Sequence, residues 1–189
     1  MPERWNAYWR SCLEDSGVAG LDPVAPGSWF VALDQFCHRD VLQRVLAVLL
    51  RDIDPSDLDT AGPLSGGDGL VADDRRLEPG CCGDLSDLRA WFDALDHTGS
   101  DWRQVWIGHP WTHVRERGGD LEFAVPSEDD SPLAYEPPLT ISRADLREAL
   151  SVAENHVRDF RAKVLDVLGA LVSDDRLAPL ATILVEGRP

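Results

Sequence analysis

Trp5, Trp9 and Leu13 recur at every fourth position near the start of the chain, and this one-faced spacing predicts a helix over 3–15 that Gly17 and Gly20 end. A loop follows through Asp22-Pro23 and Pro26-Gly27, and the apolar run Trp29-Phe30-Val31-Ala32-Leu33 reads as a short buried strand. Leu42, Val45, Leu46, Leu49 and Ile53 mark one stripe of a second helix, from about His38 to Ile53, which Pro55 stops. Leu70-Val71-Ala72 and Arg76-Leu77-Glu78 are spaced to pair as a hairpin around Asp73-Asp74. Asp84 is placed to cap a third helix, with Leu85, Leu88, Phe92 and Leu95 on its buried stripe and Trp91 flanking it.

Three strand-like segments come next: Gln104 to Ile107, Trp111 to Arg115 and Leu121 to Val125. Arg117-Gly118-Gly119-Asp120 joins the last two as a hairpin turn, because two adjacent glycines supply the positive φ that tight hairpins need. Pro126 to Pro138 holds four prolines and three consecutive acids and is expected to be an exposed loop. Ser142 then opens a box-like cap with Asp145. Leu146, Leu150, Ala153, Val157, Phe160, Val164, Val167 and Leu171 follow at spacings of four and three, a seam sustained over more than three heptads. A helix of roughly thirty residues at ~1.5 Å each reaches about 45 Å and is expected to lie across the sheet.

These elements define an α+β fold: a small, mostly antiparallel sheet packed by several helices, with one long C-terminal amphipathic helix. A length of 189 residues fits a single domain over 1–189, with a helical part at 1–60, a sheet with an inserted helix at 61–140, and the long helix at 141–175. No repeat of 20 to 50 residues interrupts this reading.

Charge narrows the possible partners. Thirty-four acidic residues against eighteen basic ones leave a net charge of −16. Nucleic acid needs clustered Lys and Arg to meet its phosphates, and an anionic membrane surface needs the same, so neither is an expected partner. A basic protein is, since the opposite field speeds encounter. Met1-Pro2-Glu3-Arg4-Trp5 shows no apolar leader, and the longest apolar run, Val45 to Leu50, is too short to span a bilayer, so a cytoplasmic location is expected. Cys12, Cys37, Cys81 and Cys82 are accordingly read as reduced thiols. Lys163 is the single lysine, a bias that fits a GC-rich bacterial genome.

Candidate chemistry is sparse. Cys81-Cys82, placed just before a predicted helix, is the most distinctive local feature. A helix N-terminus stabilises a thiolate, yet Arg89 lies seven residues past Cys82, where a phosphate-loop cysteine enzyme needs it six residues on. Two small packed residues, one inward and one lining the turn, are the better expectation. His109 and His113 share strand parity and reach toward a zinc site with either cysteine. The chain has neither CxxC pairs nor HExxH, however, so no metal is expected; His113 is placed on a solvated strand face and His109 in the turn after Gly108. Ser65 lacks the flanking glycine of a nucleophile elbow, because Pro63 stands there. Asp73-Asp74, Asp129-Asp130 and Asp174-Asp175 read as solvated loop carboxylates. No cofactor fingerprint is present, so none is expected. Trp91, Trp102, Trp106 and Trp111 sit among acids rather than the interleaved Arg and Lys of a single-strand binder, and are assigned to packing and interfaces.

Glu78-Pro79-Gly80-Cys81-Cys82-Gly83-Asp84-Leu85-Ser86-Asp87, with Trp91 one turn on, and Trp106-Ile107-Gly108-His109-Pro110 further along carry a resemblance. Over roughly residues 65–165 the chain resembles small bacterial proteins with a Pro-x-Cys-Cys motif before a Trp-containing helix, which are similar to immunity proteins of polymorphic toxin systems. Leu88 stands where that pattern has a second Trp. The resemblance implies a cytosolic neutraliser of a toxin domain and carries no catalytic residue.

The leading expectation is therefore an acidic binding protein of the immunity or antitoxin type, not an enzyme, facing a basic toxin domain. The alternatives are a small enzyme using Cys81 or Cys82 with His109, and an adaptor that dimerises through the C-terminal helix. Two acidic runs are the expected docking residues: Asp54, Asp57 and Asp59 after the second helix, and Glu128, Asp129 and Asp130 in the proline-rich loop.

Overall fold

Five α-helices and two antiparallel sheets are built from residues 2–28, 30–54, 57–72, 75–127, 139–172 and 174–187, the residues described by this computed structural model. The helices are α1 (Pro2–Asp15), α2 (Arg39–Leu49), α3 (Leu88–Leu95), α4 (Arg143–Leu168) and α5 (Asp174–Glu186). The strands are β1 (Leu70–Ala72), β2 (Arg75–Leu77), β3 (Arg103–Val105), β4 (Trp111–Arg117), β5 (Asp120–Ser127) and β6 (Leu139–Ser142). The α+β class and the long helix follow as the periodicities require. The chain packs as two compact units, Met1–Gly62 with Asp159–Leu184, and Pro63–Arg158 with Val185–Pro189.

The first unit is helical. Leu42 and Leu46, one turn apart on α2, are its buried stripe. Phe160, Val164, Val167 and Leu168 on α4 and Leu180, Ala181 and Leu184 on α5 are also buried. Phe36 meets Phe160 with ring centroids 5.8 Å apart, and Arg161 donates to the Thr182 hydroxyl at 2.8 Å, tying α4 to α5. By contrast α1 fully buries none of its described side chains; Asn6 Oδ1 accepts from the Gly27 amide at 3.0 Å, and Arg10 pairs with Asp22 at 3.1 Å.

Two expectations fail in this unit. Phe30–Ala32 form no strand, because no other strand among the described residues of this unit offers a ladder; the backbone turns through a 3-10 helix at Leu33–Cys37 instead. The long helix stops at Leu168, before the expected 175, and Leu171 lies beyond it with 37% of its surface exposed. After that stop comes α5, which carries Pro179 inside it. Its interior proline conceals it from a reading in which proline ends helices.

The second unit is built on a sheet of order β3-β4-β5-β6. Gly118 (φ 65°) and Gly119 (φ 96°) make the β4–β5 turn, as their sequence predicts, and Arg117 pairs with Asp120 across it. The β1–β2 hairpin pairs Leu70 with Leu77. Leu70, Leu77, Trp91, Ala94, Leu95, Val105, Ile107, Val114, Leu121, Phe123, Leu139, Leu146 and Leu150 close into one core. Trp91 and Phe123 meet at 5.4 Å. Arg143 donates both terminal guanidinium nitrogens to the carbonyls of Leu95 and His97 at the end of α3, satisfying acceptors that a helix end leaves open. The expected cap of α4 is present, Ser142 Oγ lying 2.7 Å from Asp145 Oδ2 and accepting from the Asp145 amide at 3.1 Å.

Three details differ from expectation here. Trp91, read as flanking, is the centre of the helix face, while Phe92 is half-buried. Leu85–Asp87 form a 3-10 turn before α3, and at ~120° per residue instead of ~100° that turn rotates the face and brings Trp91 inward. The register of β4 against β5 shifts between Trp111 and His113, so His113 is buried rather than on a solvated face. Third, β5 continues to Ser127, two residues into the expected loop, and β6, to which the sequence reading assigns no strand, pairs beside it.

Candidate functional site

Two loops of the second unit, the Gly80-Cys81-Cys82-Gly83 turn and the Ile107-Gly108-His109-Pro110 segment, carry the two most distinctive motifs of the sequence and lie against each other. Gly83 N–H donates to the Gly80 carbonyl at 3.0 Å, closing a β-turn with the cysteines at its two central positions. The Gly80 amide donates to the Ile107 carbonyl at 2.7 Å and the Cys81 amide to the His109 carbonyl at 2.8 Å. A side chain at Gly80 would run into the backbone of Gly108 and His109, and one at Gly108 would stand 2.7 Å from the Gly83 nitrogen. Glycine is required at both positions because main chain meets main chain.

Both thiols point outward. Cys81 and Cys82 are exposed, with Sγ atoms 3.6 Å apart, which corrects the expectation of one inward and one turn-lining side chain. The helix behind them is not positioned to stabilise a thiolate. Asp84 accepts from the Ser86 amide and Asp87 from the Asp84 amide, at 2.8 and 2.9 Å, so carboxylates already occupy that end, and α3 begins only at Leu88. The His109 ring stands edge-on to Trp111 at 5.0 Å.

Beside the turn is an aromatic ledge. Trp106 packs on Trp111 at 4.8 Å yet keeps 57% of its surface exposed. A groove of 420 Å³ adjoins the same loops, lined by Arg76, Glu78, Pro79, Gly80 and Pro110. Further along the sheet, Arg115 lies over Trp102 at 4.3 Å and pairs with Glu122 at 2.6 Å. Sequence reasoning assigned the tryptophans to packing and interfaces without separating them, because which one emerges is a tertiary property.

Asp68 lies between Gly67 and Gly69, just before β1. Its Oδ2 is buried without a hydrogen-bond partner, while its backbone carbonyl accepts from Trp91 Nε1 at 3.0 Å. Burial pushes its pKa up to about 6, the charge of Asp87 adds to that, and His156 opposes it. Burial also raises Asp87 above the usual carboxylate range.

The first expected docking run lies in the other unit. Asp54, Asp57 and Asp59 are all exposed. Asp57 caps the 3-10 turn Leu58–Thr60, its side chain accepting from the Asp59 amide at 3.1 Å, and the Asp54 amide donates to Thr60 Oγ1 at 3.2 Å. These aspartates therefore sit on a locally tied turn, separated from the end of α2 by a short 3-10 turn at Leu50–Asp52. Glu128, Asp129 and Asp130 lie outside the described residues, as does Asp73-Asp74. Asp174-Asp175, expected in a loop, opens α5.

Among the described residues, no three of His, Cys, Asp and Glu converge as a metal site. No helix among them is long and apolar enough to cross a membrane. Compared with family models, with characterised proteins and with solved structures, the chain matches none.

Proposed function

We propose that this chain is an acidic binding protein of the immunity type, which neutralises a bacterial toxin domain of basic surface. The placement of its charge carries the reading. Of the acidic residues described, Glu122 alone is buried and Asp68 has one carboxylate oxygen buried, so most of the described acidic side chains face solvent. Such a field speeds encounter with a basic protein and suppresses acidic competitors. Affinity needs a few well-packed anchors, and tryptophan leads the residue types that serve as such. Trp106, held against Trp111 and largely exposed, has the chemistry of an anchor, and Asp54, Asp57 and Asp59 have that of a steering patch.

The test is association of the purified chain with the product of any neighbouring gene that encodes a basic toxin domain, followed by surface plasmon resonance at two salt concentrations. The proposal expects a complex whose association rate falls at least about tenfold from low to physiological salt, with little change in dissociation. A complex with salt-independent association, or no complex with that product, would refute it.

A further inference from the structure

We propose that Cys81 and Cys82 form a redox dithiol site, oxidised by hydroperoxides to a vicinal disulfide and returned to the dithiol by small thiols. The sulfurs are already neighbours at 3.6 Å, and both are exposed to a diffusing oxidant. A disulfide needs about 2.04 Å between sulfurs, so closure asks for a movement of less than 2 Å. The β-turn supplies the means of holding them. Its ends are joined by the Gly83-to-Gly80 hydrogen bond, and its first half is fixed by the Ile107 and His109 carbonyls. Gly80 and Gly108 leave no space for the turn to be displaced inward. Motion of the two side chains toward each other is then the short path.

The chemistry balances without a metal or cofactor. One thiolate attacks the peroxide O–O bond; its sulfur becomes a sulfenic acid and an alcohol, or water, leaves. The neighbouring thiolate attacks that sulfur, the S–S bond forms, and hydroxide departs to take a proton as water. The two sulfurs together lose two electrons and the peroxide gains two. Reversal takes two equivalents of a small thiol, which leave as their own disulfide.

Adjacent residues also set the character of the bond. Their Cα atoms are held about 3.8 Å apart by a trans peptide, closer than the ~4.4–6.8 Å of ordinary disulfides. The bond that forms is strained, and strained, exposed disulfides are the readily reduced ones. That distinguishes a reversible site from a structural bridge.

The test uses the full chain in a Cys12→Ser, Cys37→Ser background, reduced, freed of reductant and given equimolar hydrogen peroxide. Trypsin then releases Leu77–Arg89, which holds both cysteines. The expected product is that peptide lighter by two hydrogen atoms and inert to iodoacetamide, restored to two alkylatable thiols by millimolar glutathione. In Cys82→Ser, Cys81 is expected to stop at a sulfenic acid that dimedone traps. Sulfinic acids on separate cysteines, a bridge between two chains, or a bond that glutathione leaves intact would each overturn the proposal. Thermal melting of Cys82→Ser within a few degrees of the parent confirms that the variant reports on chemistry and not on folding.

Discussion

The two units solve the same packing problem with different materials. In the sheet unit the core positions on strands are held twice, by their side-chain neighbours and by a ladder that fixes the backbone; Leu121 and Phe123 in β5 are paired with strands on both sides. In the helical unit, Phe160, Val164 and Leu184 are as deeply buried, but the helices bearing them are joined by side chains alone, such as Arg161 to Thr182 and Arg39 to Asp166. A helix can slide to fill a void, whereas a central strand cannot move without breaking two ladders. One helix serves both: α4 contributes Leu146 and Leu150 to the sheet core and Phe160, Val164 and Val167 to the helical one, with Ala153 and Val157 only half-buried between them.

The same deletion in each unit exposes the difference. Phe123→Ala, in the sheet, is expected to cost about 4 to 5 kcal/mol, and Phe160→Ala about 3 kcal/mol, because the cost of a cavity depends on how far its walls relax. Urea melts of the two variants check this. Equal losses, or a larger one for Phe160, break the comparison. A Phe160→Ala protein that melts within a degree or two of wild type removes the α4 seam from the core altogether.

Legibility in the sequence follows the same division. Elements whose signal is local were readable as elements, namely α1, α2 and α4, the Gly118-Gly119 turn and the Ser142 cap, although α2 ends at Leu49 before the expected Ile53 and Trp5, Leu49 and Leu171 of the expected stripes are exposed. What failed depended on partners distant in sequence or on small phase changes. Trp29–Leu33 has the composition of a strand but no ladder to join among the described residues. Leu139–Ser142 forms β6 only by pairing with Asp120–Phe123 of β5, a partner distant in sequence. Trp91 turned inward through one 3-10 turn, and His113 through one shifted register. At the candidate site, the Cys-Cys and Gly-His-Pro motifs were legible as motifs. Their apposition was not, since it rests on two backbone hydrogen bonds that no side-chain pattern announces.

Asp68 sharpens the contrast from inside the sheet unit, where a rigid wall has left one carboxylate oxygen unsatisfied. Its folded-state pKa of about 6 exceeds the ordinary 3.8, so the folded protein holds a proton there that the unfolded chain has released. Stability from this group is therefore full below pH 4, declines as pH rises through 4 to 6, and stays reduced above that. The span is worth on the order of 2 kcal/mol. Asp68→Asn is expected to flatten that decline and to raise the melting temperature at pH 7.5 relative to wild type. Melts across pH 4 to 8 read it directly, and an unchanged slope would show that the carboxylate is solvated after all.

The smallest effect on stability, and the most telling for function, is expected on the helical unit's surface. Asp54, Asp57 and Asp59 project from a turn in which the Asp57 side chain holds the Asp59 amide. Reversing all three charges would confound steering with loss of that cap, which is worth about 1 kcal/mol. Asp54→Lys and Asp59→Lys with Asp57→Asn keep the cap, because an amide oxygen accepts as a carboxylate does, while shifting the local charge by five units. Melting should then move by no more than a few degrees. Association with a basic partner should slow by roughly tenfold at low salt and lose most of its salt dependence, since a steering field acts on encounter and is screened beyond about 10 Å at 0.1 M salt. The same reversal at Glu128, Asp129 and Asp130 is expected to do less, because ordering a proline-rich acidic loop on binding costs entropy that offsets its contribution. Rates that fall more for the second run would move the steering patch to the sheet unit's side of the comparison; rates unchanged by either would separate the acidic charge from binding.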